Sequence, residues 1–411
     1  MDPLELDLYD PATYAQGAPH DHFAALRDEH PVFRHPHPQW SDGFWAITRH
    51  DDVQRVSRDS ATFRNAPNPF LEEADDDTSG SELLLISLDS PDHTKMRKLI
   101  NRGFTPRRVA DLTDKIQATV DRLIDEVADR GECDLVKDLA VELPLQVIAD
   151  LVGVPEEDRH QIFEWTEVTF GFDQNVTAEE RQAATMSMYA YADQMCEIRK
   201  TEQHDDLISV LMDAEVDGEQ LTQLQIDIFF LLLQNAGSET TRNLITSGTV
   251  ALLERPDQLQ LLQDDLSRVP TAIEELLRFV TPVVLFKRTA ARDTEIAGQP
   301  IAAGDRVVMF YTSANRDERA FDAPHELDVT RSPNDHVAFG AGGPHFCLGA
   351  SLARLEARIM FEQLLSRFEG LEVVGDPAAL PRVWSNLIDG YASLPVRWQN
   401  VREKTFSPTT R

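Results

Sequence analysis

The stretch Phe339-Gly-Ala-Gly-Gly-Pro-His-Phe-Cys-Leu-Gly349, followed by Ala350-Ser-Leu-Ala-Arg-Leu-Glu356, places a cysteine between a glycine-rich loop and a segment of helical character. Backbone N–H groups at a helix start favour negative charge, so Cys347 stands where a thiolate is stabilised. The loop glycines lack a Cβ and allow the backbone to approach a flat, bulky group. A thiolate there suggests an axial haem ligand, which favours O–O cleavage. A buried structural cysteine is the alternative that Cys347 alone leaves open.

The loop resembles the haem-binding signature of the cytochromes P-450, which has a phenylalanine, a glycine-rich loop, a basic residue two before the cysteine and a glycine two after it. His345, Cys347 and Gly349 match this pattern, with Gly343 at the expected glycine. Phe339 lies eight residues before Cys347, whereas the family pattern places the phenylalanine seven before it. The loop therefore carries one extra residue. Some bacterial members that oxidise sterols and branched lipids share this feature, so it hints at a lipid-oxidising branch.

Composition narrows the class of protein. The chain has 411 residues and a hydrophobic content of 42%, which is enough for a sizeable core. Its net charge of −32 argues against nucleic acid or an anionic membrane as a main partner. We expect a single domain over residues 1–411, acting as a monomer, with a flexible tail at 404–411. The longest apolar run, Ile228–Leu233, is too short to span a bilayer.

The cysteines and the first residues indicate the compartment. Cys133, Cys196 and Cys347 are widely spaced and show no disulfide or zinc-like pattern. The acidic start of the chain has neither the basic nor the apolar region of a secretory signal. We therefore expect a cytoplasmic protein.

The elements predict a mainly α fold with small β-sheets. Short β-like runs at residues 44–48 and 306–311 stand among long helical patterns at 108–152 and 156–213. Residues 66–80 read as a long exposed loop with an acidic tip. Together with the resemblance, these patterns predict a large domain of the cytochrome P-450 type with a long central helix over haem.

That central helix is predicted from about Leu221 to Leu253, because Pro256 disfavours helix at the residue before it. Its middle, Gln234-Asn-Ala-Gly-Ser-Glu-Thr-Thr-Arg-Asn243, is polar, and unpaired buried polar groups are costly. An amphipathic helix whose polar face reaches solvent is an equally good explanation of this segment alone.

The polar middle also resembles the oxygen-activating helix of the family. The resemblance implies that Ala236 and Gly237 leave room over the iron for O₂. It also implies that Glu239 and Thr240 are the acid–alcohol pair that delivers protons to dioxygen.

A second resemblance concerns Glu275 and Arg278, which match the Glu-x-x-Arg motif of the family, with Arg331 as the third member. Ordinary surface pairs of this spacing are common and contribute little. The resemblance implies a structural network that supports the cysteine loop.

Haem carries two propionates, which need cationic or donor partners. Their positions in matching family segments nominate four residues, each of which is otherwise an ordinary surface charge: His93, Arg97, Arg288 and His345.

Charge is uneven along this chain. Between Asp92 and Arg108 six basic residues stand against one acid: Lys95, Arg97, Lys98, Arg102, Arg107 and Arg108. Such a patch attracts an acidic partner. In the family this segment lies near the thiolate side of the haem, where a ferredoxin docks.

The sequence predicts a haem-thiolate monooxygenase that hydroxylates a hydrophobic steroid, terpenoid or fatty-acyl compound with O₂. Electrons would come from a ferredoxin and its reductase, since no flavin or nicotinamide fingerprint is present. An H₂O₂-driven peroxygenase and a non-catalytic haem sensor or carrier are the alternatives. Substrate contacts are nominated by family position, with core packing equally possible for each: Leu84, Leu85, Phe230, Leu233, Val283, Val284, Leu285, Leu387 and Ile388.

Overall fold

The computed structural model describes residues 3–71, 83–170, 175–202, 204–216 and 218–402. Residues 72–82, most of the acidic end of the predicted loop, lie outside this part, as does the predicted tail at 404–411. Within the described ranges the chain is mainly helical with small sheets, which confirms the predicted fold class. None of the helices in these ranges is both long enough and apolar enough to cross a bilayer.

The described residues form fourteen α-helices. They are α1 (His20–Glu29), α2 (His50–Arg58), α3 (Asp92–Ile100), α4 (Pro106–Asp111), α5 (Thr113–Ala128), α6 (Glu142–Val152), α7 (Arg159–Phe170), α8 (Ala178–Arg199), α9 (Leu207–Met212), α10 (Gln223–Leu253), α11 (Pro256–Asp264), α12 (Val269–Val280), α13 (Tyr311–Ala314) and α14 (Ala350–Arg367).

The strands are short. They are β1 (Val32–His35), β2 (Phe44–Ile47), β3 (Phe63–Arg64), β4 (Glu132–Asp134), β5 (Glu215–Val216), β6 (Glu219–Gln220), β7 (Leu285–Ala290), β8 (Thr294–Ile296), β9 (Gln299–Ile301), β10 (Arg306–Phe310), β11 (Phe368–Glu369), β12 (Glu372–Val373), β13 (Pro395–Arg397) and β14 (Asn400–Val401). The largest sheet has the order β1-β2-β10-β7-β3, in which β2 and β10 run parallel. Both predicted β-like runs are strands of this sheet.

Helix α10 organises the main core. Thr222 begins it with a capping box, in which its hydroxyl accepts from the N–H of Gln225 and the Gln225 side chain reciprocates. It ends at Leu253, as predicted, and Pro256 then begins α11. Its 31 residues correspond to about 46 Å. Helices α6, α8, α12 and α14 pack against it, so it positions elements from distant parts of the chain.

Gly237 lets α6 approach α10. A Cβ at this position would lie 2.7 Å from Cδ1 of Ile148, closer than packed atoms tolerate. The sequence interpretation explained Gly237 by the space it leaves over iron. The structure directs the missing side chain toward α6, so this glycine has a packing role, and the space over iron stays a prediction.

Candidate active site

Cys347 lies at the end of a loop that is closed by its own backbone. Its N–H donates to the carbonyl of Phe339 at 2.9 Å, and Gly349 is the N-cap of α14. Cys347 keeps solvent-exposed surface, but desolvation by the surrounding protein raises the pKa of its thiol, while hydrogen bonds from the backbone of Gly349 and Ala350 and the charge of Arg97 oppose this rise. The helix start therefore offers donors to a negatively charged sulfur, as the sequence suggested.

The loop glycines approach a protein element. Gly343 has φ +84°, and a Cβ there would lie 2.5 Å from the carbonyl oxygen of Ser57 at the end of α2. The Ser57 hydroxyl donates to the carbonyl of Gly342 at 2.9 Å, and Arg58 Nε donates to that of Ala341 at 3.1 Å. Sequence reasoning explained the loop glycines by a flat ligand. At Gly343 the close neighbour is α2, which holds the loop in place.

The predicted triad lies in a fully paired network. Both Glu275 and Arg278 have no exposed side-chain surface, and two hydrogen bonds of 2.8 Å join them. Arg331 Nε donates to Glu275 at 3.0 Å, and Arg278 also donates to backbone carbonyls, including that of Pro324 at 2.7 Å. These contacts join α12 to the loops that precede the cysteine. Removing one partner of a buried ion pair lowers stability strongly, so the network should be important for the fold around the cysteine.

Glu274, one residue earlier, belongs to a second network that sequence reasoning missed. It accepts two hydrogen bonds from Arg354 on α14, at 2.6 and 2.7 Å, and one from His336 at 3.1 Å. Burial opposes ionisation, but these bonds outweigh it and lower the pKa of Glu274 to about 2. Arg354 also lies over the Phe339 ring, 4.5 Å from its centroid. The one feature of the sequence that could have pointed to this network is Arg354, which lies in the first turns of the helix after the cysteine.

The four predicted propionate partners lie together. The rings of His93 and His345 are 4.0 Å apart. Burial lowers the pKa of His345 to about 2, and the charges of His93, Arg288 and Arg97 act in the same direction. Arg97 also donates to the carbonyl of Phe346 at 2.7 Å, so the group adjoins the cysteine loop.

This cluster has unused donors. Both ring nitrogens of His93 are buried and lack a hydrogen-bond partner in the part of the chain that the structure describes. The buried Arg288 donates to the carbonyl of Lys287 at 2.8 Å, and no ion pair between it and a carboxylate is found among the described residues. A group bearing two carboxylates fits such a site.

The middle of α10 carries the predicted acid and alcohol. Ala236 is exposed although much of the helix is buried, and Thr240 lies one turn later on the same side. The Thr240 hydroxyl donates to the carbonyl of Ala236 at 3.4 Å. Arg242 forms a close ion pair with Glu239. Burial raises the pKa of Glu239 to about 7, although Arg242 opposes the rise.

The predicted substrate contacts divide into three groups by exposure. Phe230, Val284 and Leu285 are at most 1% exposed, so the core-packing alternative describes them better. Leu85, Leu233 and Ile388 are nearly buried, whereas Leu84, Val283 and Leu387 keep partial exposure. Backbone contacts bring two of the nominated segments together. Val283 and Ile388 form a β-bridge, and the N–H of Val284 donates to the carbonyl of Leu387 at 2.8 Å.

The predicted basic patch is weaker than its sequence suggests, because four of its six members bind groups of this chain. These contacts are Lys95 to Glu219 (3.0 Å), Arg97 to the carbonyl of Phe346 (2.7 Å), Arg102 to the carbonyl of Glu215 (2.8 Å) and Arg108 to Asp205 (3.1 Å). Lys98 and Arg107 remain exposed.

Comparison with known proteins gives consistent matches. The family model of cytochrome P-450 matches residues 132–380. The chain is 41% identical to a steroid C26-monooxygenase of Rhodococcus jostii, over 93% of this chain and 83% of that protein. It is 40% identical to a methyl-branched lipid omega-hydroxylase of Mycobacterium bovis, over 92% and 90%. A solved Mycobacterium marinum cytochrome P-450 in complex with pseudoionone is 36% identical, with a TM-score of 0.87 over 96% of this chain and 98% of that one.

Proposed function

Because the chain belongs to the cytochrome P-450 family and is a monooxygenase, we propose that it hydroxylates a terminal methyl group of a branched aliphatic chain, on a steroid or a methyl-branched lipid. Cys347 is the thiolate ligand of the cofactor. The observation that carries haem-thiolate chemistry in this chain is the cluster of His93, Arg97, Arg288 and His345 beside that cysteine.

The cofactor of this family is haem b, held by a cysteine thiolate, and when bound it supplies the activation of O₂. The residues present fit it. The backbone donors of Gly349 and Ala350 stabilise charge on the Cys347 sulfur. His93 has buried ring nitrogens without a partner among the described residues, and the buried guanidinium of Arg288 supplies a positive charge, so the pair would suit two propionates.

Glu239 and Thr240 deliver protons to the site of O₂ activation. The Thr240 hydroxyl lies on the same side of α10 as the exposed Ala236, and Glu239 precedes it with a carboxyl whose pKa is raised to about 7. A carboxyl with a pKa near the working pH can both give up a proton and regain one. Arg242 holds this carboxyl in one orientation through the ion pair on the same helix.

The substrate class rests on the chemistry that the relatives share. C26 of a steroid is a methyl group at the branched end of its side chain, and the omega carbon of a branched lipid is likewise a chain terminus. Leu84, Val283 and Leu387 keep partial exposure and offer apolar surface for such a chain.

Electrons come from a ferredoxin and a ferredoxin reductase. Arg354 and Arg358 of α14 line a groove of about 410 Å³, together with residues of α4 and α12. Glu274, which also lines this groove, pairs with Arg354, so Arg358 is the more available of the two charges. Exposed Arg107 lies on α4 beside this groove. An acidic ferredoxin is the partner that these charges suit, although fewer basic residues are available than the sequence suggested.

The test uses the purified holoprotein. We expect the spectrum of the reduced carbon monoxide adduct to be that of a thiolate ligand, and Cys347→Ser to abolish it. With ferredoxin, reductase and NADPH, we expect hydroxylation at the branched end of a sterol side chain or a methyl-branched fatty acid, but not of a straight-chain acid of equal carbon number. Product formed with H₂O₂ alone would favour a peroxygenase. Normal spectra without any product would favour a carrier or sensor.

A further inference from the structure

Arg354 is connected to Cys347 through one intermediate residue. Its guanidinium lies over the Phe339 ring, 4.5 Å from the centroid, and the Phe339 carbonyl accepts the N–H of Cys347 at 2.9 Å. The ring therefore lies between an arginine on α14 and the backbone that carries the cysteine. This connection spans the part of the loop that contains the extra residue.

Arg354 is itself held firmly. Glu274 on α12 binds it through two parallel hydrogen bonds of 2.6 and 2.7 Å. The neighbouring Glu275 pairs with Arg278 in the buried network, so the carboxylate that binds Arg354 projects from a turn that is itself anchored by an ion pair. A bidentate carboxylate–guanidinium pair sets the orientation of the guanidinium plane as well as its distance.

His336 fixes the loop from the other direction. It binds Glu274 at 3.1 Å, and its Nδ1 accepts the N–H of Ala338, immediately before Phe339, at 3.2 Å. Glu274 thus connects Arg354 to the backbone that leads into Phe339. Loss of Arg354 would free the Phe339 ring on one face and leave Glu274 with the hydrogen bond from His336 alone of the two side-chain partners described above.

We propose that Arg354 is a positioning residue for the thiolate: by clamping Phe339 between α14 and the Glu274–His336 pair, it holds the Cys347 sulfur in the geometry that ligates the iron. This inference rests on the proposed function, in which Cys347 is the ligand. Lysine could supply the charge of Arg354, but it lacks the planar fork and stacks less well on the ring. The group that ligates the metal is then controlled by a residue that does not touch it.

The same helix offers a matched control. Arg358 lies one turn later in the same groove, and its side chain is 39% exposed compared with 36% for Arg354. Among the described residues, the one ion pair found for Arg358 is a 3.9 Å contact with Glu362. Arg358→Gln therefore removes the same charge from the same groove without touching the Phe339 clamp.

The test compares holoproteins of the wild type, Arg354→Gln, Arg354→Lys and Arg358→Gln. The measurements are the rate at which the reduced carbon monoxide adduct loses its thiolate spectrum and the midpoint reduction potential of the haem. For Arg354→Gln we expect the rate to rise by about tenfold or more and the potential to shift. Arg354→Lys should lie between this variant and the wild type, and Arg358→Gln should match the wild type.

The inference is overturned if Arg354→Gln and Arg358→Gln change both quantities equally, because Arg354 would then act only as a groove charge. If Arg354→Gln cannot be obtained with haem, Arg354→Lys decides: wild-type values overturn the clamp, and intermediate values support it. A wild-type protein without a thiolate spectrum contradicts the proposed function itself, which distinguishes the two failures.

Discussion

The cysteine loop and the middle of α10 differ in whether their polar groups have hydrogen-bond partners within the protein. In the loop, the carbonyls of Phe339, Ala341 and Gly342 accept hydrogen bonds from Cys347, Arg58 and Ser57, respectively. On α10, several buried polar atoms have no partner within the described ranges: both amide atoms of Gln234, Nε of Arg242 and both amide atoms of Asn243.

An unmade hydrogen bond on a buried group costs about 1–3 kcal/mol, so a helix that keeps several has a reason to do so. We expect ordered water to bind these groups, since proton delivery needs water next to an acid and an alcohol. The loop carbonyls are bound by groups of this protein, whereas the buried groups at the centre of α10 are left for other partners, such as water. Experiments on each region should therefore have different consequences.

The largest effect is expected in the buried Glu275 network that supports the cysteine loop. Glu275→Gln should lower the free energy of unfolding by about 3–5 kcal/mol, because it leaves Arg278 and Arg331 buried without a counter-charge. Denaturant unfolding measures this loss, and haem content should fall with it. The control is Glu326→Gln, an exposed residue that contacts Arg278 only through its backbone carbonyl. Equal stability of the two variants would show that the Glu275 network does not stabilise the fold.

On α10 we expect loss of coupling without loss of fold. Thr240→Val removes the hydroxyl at constant shape, so the thiolate spectrum and stability should be retained while product per electron consumed falls by about a hundredfold. Simultaneous measurement of NADPH consumption, H₂O₂ release and product checks this. Thr241→Val, at the buried neighbouring position, is the matched control. If both variants lose coupling equally, the hydroxyl at 240 has no special role.

The smallest expected effect is a pH dependence. Burial raises the pKa of Glu239 from 4.5 to about 7, despite the opposing charge of Arg242. The carboxyl therefore holds its proton below about pH 7 and loses it above. Coupled product formation should be highest on the acidic side and decline roughly tenfold as the pH rises through 7. Glu239→Gln cannot titrate and should lack this inflection. An unchanged inflection in that variant would assign it to another group.

Periodicity and breakers were enough to place the long elements. Helix α10 begins two residues after the predicted start and ends at the predicted Leu253, because the breaker Pro256 is a local signal. The strands at residues 44–47 and 306–310 were recognised for the same reason. The pairing of β2 with β10 could not be predicted, since it joins segments that are far apart in the chain.

Around the candidate site, local patterns identified residues but not their neighbours. Glu274 resembled an ordinary surface acid beside a recognised motif, yet it contacts residues 62 and 80 positions away. Gly237 and Gly343 were assigned to a ligand, while the structure places Ile148 and α2 against them. The charge of Lys95 and Arg108 was visible in the sequence, but the acids that neutralise it come from other elements.

The sequence by itself determined the chemistry that is available: a cysteine before a helix, an acid–alcohol pair in a long helix, and a Glu-x-x-Arg pair. These are properties of residue types at short spacing, which the backbone converts directly into a shared turn or face. Only the tertiary structure decided which groups are satisfied and which are left unpaired. Burial, pKa and hydrogen bonding depend on what packs from elsewhere in the chain, so the contrast between the tied loop and the unpaired centre of α10 exists only in the folded protein.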